Sequence, residues 1–252
     1  MKKIIYLFTF ILISSLTYGQ GFNNNELLKY RVHYGFLNAG FATLELKETT
    51  YNGKPHYHVV GQGSSSGAVR AFYKVDNNYE TYFDKNEMRP SKFIRQITES
   101  NYSKNKVLTF DHNQKIVTVN DLKNKRVKFI KYDVAVQDML SAFYYLRTKS
   151  PDDFQTGEFL TVNVFMDDEV YPFKLKVNGR EKIKTKFGWI NAIKLTPYVQ
   201  KGRVFKKSES VTMWVSDDEN LIPLSVHAEL VVGKLKMDIE DFKNVKYPLD
   251  FR

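Results

Sequence analysis

Residues able to do chemistry are sparse in this chain, and they stand in recognisable patterns. His56-x-His58 puts two imidazoles on one face of an extended strand, an arrangement that could hold zinc or copper. A catalytic zinc needs a third protein ligand. No residue nearby in sequence completes the set, and His33, His112 and His227 are scattered. Ser64-Ser65-Ser66-Gly67 offers hydroxyls on a loop, yet there is no G-x-S-x-G elbow and no His or Asp at a partner spacing. Aspartate pairs at 152–153, 167–168 and 217–218 have the composition of metal or glycosidase carboxylates. All three fall in turn-like contexts, where Asp is favoured because it hydrogen-bonds its own backbone, and the run from Asp217 to Asn220 lacks calcium-loop spacing. The chain has no cysteine, which excludes thiol catalysis, disulfides and cysteine zinc sites. These patterns assign no catalytic residue, no metal site and no cofactor.

Ligand chemistry has one better candidate. VQDMLSAFYYLR (136–147) is the one stretch where apolar residues clearly recur at helical spacing. On a wheel, Val136, Met139, Leu140, Phe143 and Leu146 share one face, with Asp138, Ser141 and Tyr145 opposite. Asp138 is a good N-cap, which starts the helix at about Met139. Arg147 ends it on the apolar side, where its stem can pack while its guanidinium reaches a carboxylate or a carbonyl on a sheet. The functional alternative lines a cavity with Met139, Leu140 and Phe143 and sets Arg147 at its rim, holding an anionic head group.

Around this helix the chain reads as β. Residues 27–36 alternate with Leu28, Tyr30, Val32, Tyr34 and Phe36 on one face. Further strands are expected at 41–51, 56–63, 71–84, 90–100, 106–112, 115–121 and 125–133, and then at 159–168, 170–177, 180–195, 208–230 and 234–245. Asn52-Gly53 and Asn178-Gly179 are strong hairpin signals, because both residue types tolerate positive φ. Frequent strands with short turns predict a mainly β fold. The sheet would be antiparallel and curved, a half-barrel or barrel, with one central amphipathic helix at about 139–148 covering its open side. The β-rich halves, 26–133 and 154–252, form either one domain with a continuous sheet or two lobes joined by the helix.

The N-terminus predicts the compartment. Lys2 and Lys3 precede the apolar run Ile4–Ile13, and Thr17 and Gly19 stand at the −3 and −1 positions of a cleavage site. Residues 1–19 thus read as a signal peptide, too short in its apolar run to span a bilayer. The absence of cysteine excludes a lipoprotein acylated on that residue. The net charge of +10 comes partly from 123–131, 180–186 and 201–207, which mix cations with apolar residues at period two. On strands this puts Lys and Arg in solvent and Ile, Val and Phe inside. The leading reading is a solvated face that discourages edge pairing. Export removes nucleic acid as a partner, and the alternative is contact with anionic lipid head groups, lipopolysaccharide phosphates or acidic glycans.

Several segments together carry a resemblance: the Tyr30-x-Val32-x-Tyr34 strand leading to Ala39-Gly40, FYKVDNNYETYFD and MRPSKF within 72–93, QDMLSAFYYLR (137–147), and MWVSDDENLIPLSV (213–226). In that order they resemble the bacterial exported family called domain of unknown function 3108, over nearly the whole mature chain. The resemblance implies a secreted or periplasmic β-rich protein of a Gram-negative bacterium and carries over no catalytic residues. Its layout is similar to that of half-barrel carriers of lipids and lipoproteins, an analogy of fold alone. The resulting expectation is a non-enzymatic envelope protein, periplasmic or outer-envelope associated, that holds a lipid-like ligand in a concave cavity. The alternative is an interaction module of an envelope assembly with a packed interior and a protein partner. An envelope hydrolase ranks below both.

Overall fold

The computed structural model describes residues 20–198 and 209–252; the leader 1–19 and the basic stretch 201–207 lie outside them. The N-terminal half supplies β1 (Leu27–Tyr34), β2 (Leu37–Tyr51), β3 (Lys54–Ser65), β4 (Val75–Asp84), β5 (Pro90–Glu99), β6 (Tyr102–Asp111), β7 (Ile116–Asp121) and β8 (Arg126–Lys131). The C-terminal half supplies β9 (Phe159–Met166), β10 (Glu169–Thr185), β11 (Gly188–Tyr198), β12 (Val211–Ser216), β13 (Pro223–Glu229) and β14 (Lys234–Lys243). They form one antiparallel sheet in the order β8-β7-β6-β5-β4-β3-β2-β1-β14-β13-β12-β11-β10-β9. Each half is a meander, and the two join where β1 pairs with β14 along its length. The sheet is mainly β, curved and not closed, with β8 and β9 as its edges.

The chain leaves one edge after β8 and re-enters at the other as β9. Between them it builds α2 (Met139–Leu146), the expected helix, and a single 3-10 turn at Pro151–Asp153. A second short helix, α1 (Gly67–Phe72), replaces the start of the strand expected at 71–84. It buries none of its residues, so no amphipathic pattern announced it.

The two Asn-Gly pairs have different fates. Asn52 (φ 50) and Gly53 (φ 75) make the tight β2–β3 hairpin turn, as their left-handed tolerance predicts. Asn178-Gly179 is no turn. β10 runs straight through it, and a register shift between Val177 and Gly179 marks a bulge. The residues on both sides pair with the same partner, β11, whose Ile190, Ala192, Ile193 and Leu195 are buried. A local turn signal yielded to this long-range pairing, and the chain reverses instead at Lys186-Phe187.

β8 corrects another expectation. Its Val127 and Phe129 face solvent, Phe129 at 72 % exposure, while Lys128 points inward to Asp168. The inner face of this half grades from apolar (Phe93, Leu108, Phe110, Val117, Val119) to cationic (Arg95, Lys104, Lys106, Lys128). Arg95 and Lys106 stand directly opposite each other on β5 and β6, a like-charge pairing that needs an anion nearby. The β9–β10 turn supplies two.

Candidate functional site

α2 is held from its first residue. The Asp138 carboxylate accepts from Leu140 N (2.8 Å) and Ser141 N (2.9 Å), and the Ser141 hydroxyl accepts from Asp138 N (2.9 Å), completing a capping box. The other Asp138 oxygen accepts from Thr81 Oγ1 on β4 at 2.5 Å. The polar side of the helix is interior: Asp138 and Ser141 are fully buried. Burial is tolerated because each polar atom there is hydrogen-bonded. It still pushes the Asp138 carboxyl up to about 6, against the opposing pull of Thr81, Ser141 and Leu140.

The apolar side of the helix fills the concavity. Leu140 packs against both the Phe93–Phe165 cluster and the cluster of Leu46, Tyr57, Val59 and Phe83. It lies over the backbone of Gly61 on β3, where an added Cβ would come within 3.4 Å of the Leu140 side chain. Phe143 bridges the Tyr57 cluster to that of Leu28, Tyr30 and Leu224. Ala142 packs on Val162 and Val164 of β9. Met139 is the outlier at 38 % exposure, and the pocket it lines measures about 10 Å³, roughly room for one water. Pockets of about 280 Å³ lie elsewhere, at the exposed 101–104 and 123–124 turns and beside Arg31 and Lys186.

Arg147 does not sit at a rim. It is 1 % exposed and closes the interior at the helix C-terminus. Nη1 and Nη2 grip the Glu26 carboxylate at 2.6 and 2.7 Å, Nη2 also donates to Gly21 O (2.6 Å), and Nε donates to Asn220 O (2.8 Å). The rings of Phe22, Phe143 and Tyr144 surround the guanidinium at 5.4–5.5 Å. Burial alone would lower the Arg147 pKa, but Glu26 outweighs it and leaves the group more firmly charged than usual. Four of its five N–H groups are engaged within the protein. The head-group role expected for Arg147 is therefore corrected: the partner is Glu26, buried just ahead of β1. The polar stretch ahead of β1 sends Gly21, Phe22 and Glu26 into the core while Asn23, Asn24 and Asn25 stay exposed, and Gly21 N donates to Arg147 O at 2.7 Å. The clue was the arginine itself, since a cation on an apolar helix face calls for a buried carboxylate.

Most of the remaining candidates have structural partners. His56 bonds Lys54 O and Ser91 Oγ, and His58 meets Glu80 at 2.9 Å and stacks on Tyr82. Among the described residues no three His, Asp or Glu side chains are grouped to hold a metal. Ser65 accepts from Val75 N, and Ser66 precedes α1. Asp153 caps its 3-10 turn, Asp217 pairs with Arg180, and Asp218 accepts from Asn220 N and Ser216 Oγ. The pair at 167–168 is different. Both residues have positive φ at the β9–β10 turn. Asp167 contacts Arg95 (2.8 Å) and Lys104 (2.6 Å), while Asp168 contacts Lys106 (2.8 Å) and Lys128 (2.7 Å). This tip latches one free edge region of the sheet to the other through side chains.

The open antiparallel sheet is packed by α2 and latched at the β9–β10 tip. A family model described as "Protein of unknown function (DUF3108)" matches residues 29–240. The chain belongs to the DUF3108 family. No curated protein matches it significantly. Among solved structures, the DUF3108 chain is similar to the β-barrel-like protein of domain of unknown function DUF1849 from Brucella abortus. The TM-score is 0.56 at 9 % identity, covering 88 % of this chain and 98 % of that one, a likeness of fold alone. Among the described residues of the DUF3108 chain, no helix is long and apolar enough to cross a membrane.

Proposed function

We propose that the protein is an exported, non-enzymatic interaction module of the cell envelope, which presents its outer surface to another envelope component. The observation that carries this reading is the filling of the concavity. Leu140 and Phe143 knit the core clusters together, and Arg147 spends its donors on Glu26, Gly21 and Asn220. An internal lipid-like ligand, the other reading, would have to displace α2 and break that ion pair. Export is supported by Lys2, Lys3, the apolar run and the small residues at Thr17 and Gly19. His56, His58, Ser65, Asp153, Asp167, Asp168, Asp217 and Asp218 have structural partners, which favours a non-catalytic role.

The test is to express the full chain in a Gram-negative host, fractionate the cells, crosslink in place, and extract the purified protein with organic solvent for mass spectrometry. Recovery from the envelope with a reproducible crosslinked component, and without one lipid held per chain, supports the module. One tightly held lipid per chain, lost on Leu140→Asp, restores the carrier. Retention in the cytosol overturns export.

A further inference from the structure

The two edges of the sheet are treated differently. β9 is partly closed: Gln137 N donates to Asn163 O (2.8 Å) and Phe165 N donates to Gln137 O (2.8 Å), a short parallel bridge along its outer side. β8 has no such cover. β9 does not pair with it, and Phe165 packs instead in the inner cluster of Phe93, Leu108 and Val119. Tyr132 N donates to Lys115 O (3.0 Å), which fixes the alternation of the β7–β8 ladder. Arg126, Lys128 and Ile130 therefore turn their backbone N–H and C=O toward β7, while Val127, Phe129 and Lys131 turn theirs to the open edge. Among the described residues nothing bonds the edge-facing backbone of these three.

An exposed edge is normally defended by charged side chains, bulges or proline. β8 lacks that defence on its outward face. Val127 (56 %) and Phe129 (72 %) point out, and Lys128 is drawn inward to Asp168. The outer face of β7 and β8 carries Ile116, Thr118, Asn120, Val127, Phe129 and Lys131, with Lys131 its one charge. Residues 123–131 contain Lys123, Lys125, Arg126, Lys128 and Lys131 and no carboxylate. Lys128 is paired with Asp168 and Lys123 donates to Ser103 O, whereas the side chains of Lys125, Arg126 and Lys131 have no partner among the described residues. Of the carboxylates around them, Asp121 is bonded to Asn124, and Asp167 and Asp168 are held by the latch. Asp133 and Glu169 flank the strand and the tip in sequence and make no ion pair among the described residues.

We propose that β8 takes up an extended, acidic segment of a partner protein as an additional strand. A row of free N–H and C=O groups is satisfied by another extended backbone, which a lipid does not supply. The side chains select the sequence of that segment: apolar residues opposite Val127 and Phe129, and carboxylates reaching Lys125, Arg126 and Lys131. A second copy fits less well. Any antiparallel register that pairs most of β8 with itself sets Lys128 opposite or diagonal to a cation of the other copy. The proposal rests on the interaction-module reading and names the module's partner by its chemistry.

The experiment titrates the chain, expressed in full and purified, into a short fluorescein-labelled peptide with glutamates at both ends and Val-Thr-Val between them. Anisotropy reads binding and amide hydrogen exchange reads its place. The expected result is saturable binding, weakened by salt, with exchange slowed at Val127, Phe129 and Lys131. Val127→Ser/Phe129→Ser should weaken it at least about tenfold, because both apolar contacts are lost. Phe129→Pro removes an edge-facing N–H and spares the ladder to β7, so it should abolish binding with little change in melting temperature. The same peptide with lysine in place of glutamate should bind at least about tenfold more weakly. Absence of binding, unchanged exchange at the three amides, or equal binding of the lysine peptide overturns the proposal. So does a concentration-dependent dimer that protects those amides, which would make a second copy the occupant. A crosslinked envelope partner recovered undiminished with Phe129→Pro would keep the module and overturn this edge as its surface.

Discussion

Two sets of carboxylates hold this molecule together at opposite depths. Inside, Glu26 and Asp138 fix the two ends of α2, Glu26 against a single arginine and Asp138 against two amides and a threonine. At the β9–β10 tip, Asp167 and Asp168 share four cations in partial contact with water, the Asp167 side chain being half exposed. The chemical group is the same, and the consequences diverge with solvent. In the dry interior, removing one partner strands a charge or amide that has no substitute, whereas at the tip water and salt can replace the lost contact. The inner set therefore specifies where the helix lies, and the outer set trims an open sheet.

Breaking the inner set should cost most. Arg147→Met leaves Glu26 buried and unpaired, for an expected loss of about 3–5 kcal/mol in denaturant unfolding. Asp138→Ala removes the cap and strands the Leu140 and Ser141 amides, at about 1–3 kcal/mol. Asp138→Asn keeps a good cap and isolates the proton linkage. Burial raises the Asp138 pKa to about 6, so its contribution to stability is complete below the ordinary Asp pKa and drains away as pH rises through about 6. Wild type should thus lose stability relative to Asp138→Asn over that rise.

The latch runs the other way. Burial would raise the pKa values of Asp167 and Asp168, but Lys104, Arg95, Lys106 and Lys128 outweigh it and hold both below the ordinary range. Their stabilisation is complete above the ordinary Asp pKa and is lost as pH falls through the lowered values. Asp167→Asn/Asp168→Asn should cost about 1 kcal/mol in low salt, and the difference should vanish in acid or at high ionic strength. The smallest effect sharpens the interior rule. The buried Tyr144 hydroxyl has no hydrogen-bond partner, so Tyr144→Phe should leave thermal stability unchanged or slightly raised.

Much of the fold was legible because period-two alternation is a local signal repeated through the chain, and Asp138 was legible as a cap because capping chemistry spans three residues. Asn178-Gly179 was misread because a bulge is defined by the opposite strand. The inward turn of Lys128 and the outward turn of Phe129 depend on Asp168, forty residues on. Phe22 and Glu26 were hidden in a polar stretch, since nothing local tells that a distant helix will deliver an arginine to them. The helical wheel named the residues of α2 but not their surroundings: Asp138 and Ser141 on its polar side are buried, while Met139 on its apolar side is 38 % exposed.

The central claim is that Arg147 locks α2 into the interior through Glu26. A double-mutant cycle by equilibrium unfolding tests it directly. Arg147→Met and Glu26→Leu should each be strongly destabilising, and the double variant, which removes both charges together, should recover most of the loss. Additive losses, or an Arg147→Met protein as stable as wild type, would contradict the account.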